Sequence, residues 1–335
     1  MFSDKMPLLE SDREAVTILS SFLPDKIFDS HAHLFDTALL PELCKGKPHV
    51  VKGLEGYREE MAPLLNFPRT LSLNIIPFPD GAMVDRTCGL IEKSDAFVLG
   101  ELAKDEGNVC ELLVHPDDTP EELEARLVSP RIRGFKCYHN IGRTRPSWNA
   151  PIGDYLPESA WQVADKKGLV ITLHMVRDDA LADPINLSYI EAMAKRYPNA
   201  TLILAHCARA FASWTGVESA HKIAHLDNVW VDFSGVCESP AMFQFLKKLG
   251  VEKCLWGSDY PVCRSRGKAI SLGRAFYWIY QNDLDNFTGK TALSHYLIGA
   301  ENLLAVRQAF IMAELGEAAV EDFFYNNAMR LFRQK

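Results

Sequence analysis

Eight short apolar runs alternate with longer segments of helical spacing between residues 26 and 265, and that alternation leaves few architectures open. The runs are Lys26 to His33, Leu71 to Ile76, Val109 to His115, Arg131 to Tyr138, Gly168 to His174, Ala200 to His206, Val229 to Phe233 and Lys253 to Gly257. Each has the length of a strand, without strict apolar–polar alternation, as expected when both faces of a parallel sheet are buried. Helical spacing marks 81 to 107, 121 to 128, 158 to 167, 184 to 197, 211 to 225 and 240 to 249. Strands joined by helical crossovers predict an α/β fold closed into a (β/α)8 TIM barrel, with an open doubly wound sheet as the alternative. No Gly-rich phosphate loop follows any run, so a nucleotide-binding sheet has little support.

The rest of the chain fits one barrel domain over residues 1–335. Residues 1–25 read as an N-terminal extension carrying a helix, with Ser11-x-x-Glu14 as its capping signal. Residues 37–66 read as a long loop with short helices, and residues 265–335 as a mostly helical C-terminal part. With 47% apolar and 24% charged residues, the chain has the composition of an ordinary globular protein. Its net charge of -8 argues against nonspecific binding to nucleic acid or anionic membranes. Eight scattered cysteines without a CxxC pair read as buried thiols in a reducing compartment. The N-terminus lacks an apolar signal core, and no run approaches ~20 apolar residues. A cytoplasmic setting is expected.

The polar residues collect where such barrels carry their chemistry, at the C-terminal ends of strands. His31 and His33 end the first run; in an extended chain residues i and i+2 face one side, so the two imidazoles can aim at one point. Lys136 lies near the end of the fourth run, His174 ends the fifth, His206 ends the sixth, and Asp259 follows the eighth. Any one histidine could be an ordinary core or surface residue, and His49, His221, His225 and His295 are read that way; His115 and His139 stay open. Four histidines and an aspartate at one end of four strands are better explained together. Imidazoles and a carboxylate suit Zn²⁺, Mn²⁺ or Fe²⁺.

Several motifs resemble those of the amidohydrolase superfamily: Asp29-Ser30-His31-Ala32-His33, Gly134-Phe135-Lys136, Leu173-His174, Leu204-Ala205-His206-Cys207 and Trp256-Gly257-Ser258-Asp259-Tyr260-Pro261. Within it the chain resembles the amidohydrolase-related branch that includes the aminocarboxymuconate-semialdehyde decarboxylase type. Asn326 to Phe332 is similar to that branch's closing helix. The resemblance covers residues 26 to 333. It implies His31, His33, His174 and Asp259 as metal ligands, with Asp259 also taking a proton from water. It implies that His206 binds a second metal or acts on substrate, and that Lys136, if carbamylated, bridges two metals. One divalent metal, zinc first with Mn or Fe as alternatives, is preferred to two. Lys136 is then a cationic substrate contact.

Arg177, Arg209 and Arg264 follow His174, His206 and Asp259, and Arg143 and Arg145 lie after the fourth strand. Together they suggest an anion-binding rim, since guanidinium matches a carboxylate with two parallel hydrogen bonds. Tyr138, Trp148 and Tyr260 can wall an organic substrate. The first functional expectation is hydrolysis of a small anionic lactone, ester or amide. The alternative is nonoxidative decarboxylation of an unsaturated or aromatic acid. A non-catalytic barrel that only binds ranks below both, because no expected ligand is missing. The partner is a small-molecule anion, and the barrel class and long tail suit a homodimer.

Overall fold

The computed structural model describes residues 7–66, 69–284 and 295–333. The eight apolar runs form eight parallel strands: β1 (Lys26–Asp36), β2 (Thr70–Pro77), β3 (Val109–Leu113), β4 (Ile132–Tyr138), β5 (Val170–His174), β6 (Thr201–Leu204), β7 (Val229–Asp232) and β8 (Cys254–Leu255). They lie side by side in sequence order, and Val51–Lys52 adds a short antiparallel pairing to the end of β1. The ring closes between β8 and β1. The backbone N–H of Ser30 donates to the Trp256 carbonyl at 3.0 Å, that of His33 to Tyr260 at 2.9 Å, and that of Asp259 to His31 at 2.8 Å. This is the expected (β/α)8 barrel.

Helices fall where the periodicity puts them, at Glu158–Lys167, Pro184–Arg196, Ser213–Ile223 and Ser239–Leu249. Their starts follow local chemistry. Asp183 accepts from the Ile185 and Asn186 N–H groups, leaving Pro184 in the first turn, where its missing donor costs nothing. The N-terminal helix spans Glu10–Leu19, so Ser11 lies inside it and is not its cap. Asp12 does that work by accepting from the Leu9 N–H. The fully buried carboxylate also pairs with Arg266 at 2.7 Å and accepts from the Leu297 N–H at 2.9 Å, which ties the extension to the C-terminal part.

Two ends of the barrel differ. At the N-terminal end, Phe28, Val109, Val170, Ile203 and Leu255 bury against Ala328 and Phe332 of the helix Asn327–Arg333. Phe28 and Phe332 stack with centroids 5.4 Å apart. Inside the barrel, Asn74 and Thr172 donate to one oxygen of Glu111 at 2.6 and 2.7 Å. With the bottom plugged and the middle filled, the opposite end holds the open cavity described below.

The expectation of a mostly helical stretch over 265–335 fails at its start. Helices occupy Ile298–Met312 and most of 317–333, but β9 (Gly267–Leu272) and β10 (Ala275–Tyr280) form an antiparallel hairpin. The reason is legible afterwards: β-favouring Phe276, Tyr277, Trp278, Ile279 and Tyr280 follow a two-residue Gly273-Arg274 turn.

Candidate metal centre

Three histidines are oriented by what their Nδ1 atoms touch. His31 Nδ1 lies 2.9 Å from Asp232 Oδ2, His33 Nδ1 lies 3.2 Å from the Pro77 carbonyl, and His206 Nδ1 lies 2.9 Å from the Ser234 carbonyl. Carboxylate and carbonyl oxygens only accept, so each Nδ1 carries the proton and each Nε2 keeps its lone pair. Metal-ligating histidines are held in this way, with the second nitrogen donating to an outer acceptor.

The Nε2 atoms face inward and meet Asp259. Asp259 Oδ1 is 3.8 Å from His31 Nε2 and 3.7 Å from His33 Nε2, near the separation of roughly 3–4 Å expected of ligands that share one ion. Among the described residues two groups of ligand atoms fall within 4.8 Å of one another: His31, His33 and Asp259, and His31, His206 and Asp232. His174 enters neither. Its Nδ1 lies 3.1 Å from His206 Nε2, one step from the second group. Lys136 is fully buried, and its Nζ stands 3.0 Å from His31 Nε2. Lys136 Nζ thus sits beside the imidazole that both groups share, with Asp232, Glu111 and Asp259 acting on it. The donor set, imidazoles with a carboxylate, fits a site for a divalent metal ion.

Burial sets the protonation pattern. It lowers the His33 and His174 imidazoles well below their usual range and brings His206 down to about 4, so all three are neutral, the form that ligates. Burial alone would raise the Asp232 carboxyl. His31, His206 and Ser234 overcome it and hold that group below the ordinary carboxylate range. Burial lowers Lys136 and raises Glu111 to about 7.

The segment after β6 has an unusual backbone. His206, Cys207, Ala208 and Arg209 all adopt left-handed conformations, with φ of 60, 50, 55 and 61°. Left-handed helix costs roughly 1–2 kcal/mol per non-glycine residue, so four in succession must be held from outside. Asp232 Oδ1 accepts the His206 N–H at 3.0 Å, and the Ala210 N–H returns to the His206 carbonyl at 2.9 Å. The turn brings both His206 and Arg209 to one cavity.

That cavity, about 160 Å³, is floored by His33, His174, His206 and Asp259. Its walls include Tyr138, Trp148, Arg209, Phe211, Phe276, Trp278 and Tyr280. Of the expected arginines, Arg209 lines it. Arg177 instead pairs with Asp183 at 2.8 Å and donates to the Asn149 carbonyl. Arg264 is buried in the turn Val262–Arg264 and is not among the cavity-lining residues. Arg143 pairs with Asp117, and Arg145 donates to the carbonyls of Gly142, Thr144 and Asn140. Tyr260 packs edge-on against Tyr57, away from the cavity. His115 donates to the Val84 carbonyl and His49 pairs with Asp36, both structural roles.

Sequence reasoning passed over Asp232, Glu111 and the wall of β10. Asp232 ends β7 as His174 ends β5, and the same strand-end rule would have raised it. Glu111 stands out as one charge in the apolar run Val109 to Leu113.

A family model described as Amidohydrolase matches residues 28–334. An L-fucono-1,5-lactonase of Burkholderia ambifaria is 24% identical over 193 residues, 52% of this chain and 61% of the relative, so the chain spans under two thirds of that relative's length. Among solved structures, a 5-carboxyvanillate decarboxylase from Sphingomonas paucimobilis superposes with a TM-score of 0.59 at 14% identity, covering 93% of this chain and 100% of that one. A zinc-bound amidohydrolase from Burkholderia multivorans gives 0.59 at 12% identity, covering 92% and 99%. At these identities the likeness establishes the shared fold.

Proposed function

The chain belongs to the amidohydrolase family, and from that premise we propose that it is a metal-dependent hydrolase of a small anionic lactone, ester or amide. The observation that carries this reading is the convergence of His31 Nε2, His33 Nε2 and Asp259 Oδ1 beside a cavity that also holds Arg209. His31, His33 and Asp259 would hold one divalent ion, zinc by preference, with His174 completing the set and Lys136 beside it. When bound, such an ion polarises a carbonyl and makes water nucleophilic near neutral pH.

The protein's own residues supply the rest. Asp259 faces the cavity floor and takes the proton of the attacking water as general base. His206, hydrogen-bonded to His174, lines the cavity floor and positions the substrate there, while Asp259 passes to the leaving group the proton it took from water. Arg209 binds the anionic end of the substrate, and its charge counts for more in a half-dry pocket than in water. The aromatic walls exclude bulk solvent. The volume, well below the roughly 300–1,000 Å³ of pockets for drug-sized ligands, favours a small acid.

A second reading, nonoxidative decarboxylation of an unsaturated or aromatic acid, draws support from the aromatic walls. There the bond to the carboxylate breaks, CO₂ leaves, and a proton goes to the ring carbon. The proposal includes a homodimer and a reducing, cytoplasmic setting, which the eight unpaired thiols support. No described helix is long and apolar enough to cross a membrane.

The test is metal analysis of the purified protein with assays of Asp259→Asn. One equivalent of divalent metal and loss of turnover by Asp259→Asn in a folded protein are expected. Metal-free, fully active protein would sink the reading. Across a panel of lactones and aromatic acids, released acid identifies the hydrolase and released CO₂ the decarboxylase.

A further inference from the structure

We propose that the β9–β10 hairpin selects the substrate: its aromatic face makes the cavity take a planar, conjugated carboxylate, held at Arg209, and reject a puckered ring of equal charge. The proposal rests on the reading above that this cavity is the substrate site.

The hairpin register sorts its residues by size. Phe276, Trp278 and Tyr280 sit at i, i+2 and i+4 and share a face, and all three line the cavity. Directly across the ladder lie Ser271, Ala269 and Gly267, so the bulk on that face comes from the three rings. The opposite face points away; Tyr277 there is 57% exposed. Gly267 is required at its place, since its φ is +146° and a Cβ would meet the Ile279 carbonyl oxygen at 2.2 Å.

This face is fixed to the barrel. Glu238 accepts from the Ser271 N–H at 2.8 Å and from both the Ser271 and Ser213 hydroxyls. The Trp214 indole donates to the Arg274 carbonyl at the hairpin tip, at 2.8 Å. A continuous run of rings then leads to the centre: Phe211 lies 5.1 Å from Phe276, 5.2 Å from Trp278 and 5.2 Å from His206. The Arg209 guanidinium lies 5.2 Å from the Phe276 ring and 5.9 Å from Trp148, and one of its donors is held by the Arg177 carbonyl.

Those facts define the ligand. Among the described residues that line the cavity, Arg209 is the one lysine or arginine, which suits a carboxylate or equivalent anion at that wall. Flat aromatic faces reward a flat π-system through offset or edge contacts and reward a saturated ring less. A polyhydroxylated ring would bury hydroxyl groups against carbon and leave them unpaired.

The matched probes are benzoate and cyclohexanecarboxylate, with equal charge and carbon number and different planarity. Each is titrated calorimetrically into zinc-loaded enzyme. Benzoate is expected to bind roughly tenfold more tightly to the natural protein. Trp278→Leu, which keeps apolar bulk and loses the flat face, should cut the preference below about twofold. Trp278→Phe should restore most of it, and Arg209→Met should abolish binding of both acids. Equal affinity in the natural protein, binding of neither acid, or a preference that survives both Trp278→Leu and Phe276→Leu would each overturn the proposal. Zinc content is measured on the same samples. Failure to hold zinc refutes the metal reading and leaves the planarity preference to be judged by the same titrations on zinc-free protein.

Discussion

Asp232 and His31 form one unit: Asp232 Oδ2 stands 2.9 Å from His31 Nδ1. The other Asp232 oxygen accepts the N–H groups of His206 and Ser234, both at 3.0 Å. One buried carboxylate therefore sets the tautomer of the β1 histidine and the start of the turn that carries the β6 histidine. Asp232→Asn keeps the shape and loses the charge. We expect metal affinity to fall roughly 10–100-fold, read by chelator competition, with the fold retained. Unchanged affinity would show that Asp232 does not support the centre.

Gly235 has a φ of +66°, and a Cβ there would come 3.1 Å from Asp259 Oδ2 and 3.6 Å from His206 Nδ1. Gly235→Ala should push the Asp259 carboxylate, while His206 stays at ordinary contact distance. The expected result is a loss of turnover of roughly tenfold to a hundredfold, since small misplacements are costly, with a stability loss of about 1–2 kcal/mol from the left-handed backbone. Steady-state kinetics with thermal denaturation checks both, and full activity would contradict the crowding.

His139 supplies a pH dependence. Burial, aided by Arg209, lowers its imidazole from the usual 6.5 to about 4. The folded protein holds this group neutral where the unfolded chain would protonate it. Between those values the unfolded state binds the extra proton, so this contribution to stability is present above about 6.5 and lost as pH falls toward 4. His139→Gln should flatten that part of the Tm-against-pH curve. An unchanged acid slope would exclude His139 as its source.

Phe332 closes the far end of the barrel, 1% exposed and stacked on Phe28. Phe332→Ala should cost about 3–5 kcal/mol in chemical denaturation. Because the change lies at the opposite end of the barrel from the cavity, KM should stay near its natural value. A large KM shift would mean that the plug and the site are coupled.

The barrel and the strand-end histidines were legible for one reason: strand geometry has a fixed period. His31 and His33 share a side because residues two apart do, and the β/α alternation puts His174, His206 and Asp259 at the same rim. The arginines were less legible because distance along the chain after a strand does not set direction. Arg177 and Arg209 each follow a strand-end histidine by three residues, yet Arg177 turns to Asp183 and Arg209 to the cavity. The hairpin was missed where Phe276, Trp278 and Tyr280 carry a two-residue period in a stretch expected to be helical. Asp232 was missed because no short motif surrounds it.

The left-handed turn from His206 to Arg209 bears on when the site exists as well as where. All four residues carry a Cβ, so a free peptide of this sequence would relax to right-handed or extended backbone. The closed barrel, through Asp232, selects the costlier form. In folding, this turn can settle only after β1, β6 and β7 are docked, whereas surrounding helices can form earlier. A barrel loosened by a few kcal/mol would then keep much of its helicity while His206 and Arg209 drift apart, and turnover would fail before circular dichroism reported a change.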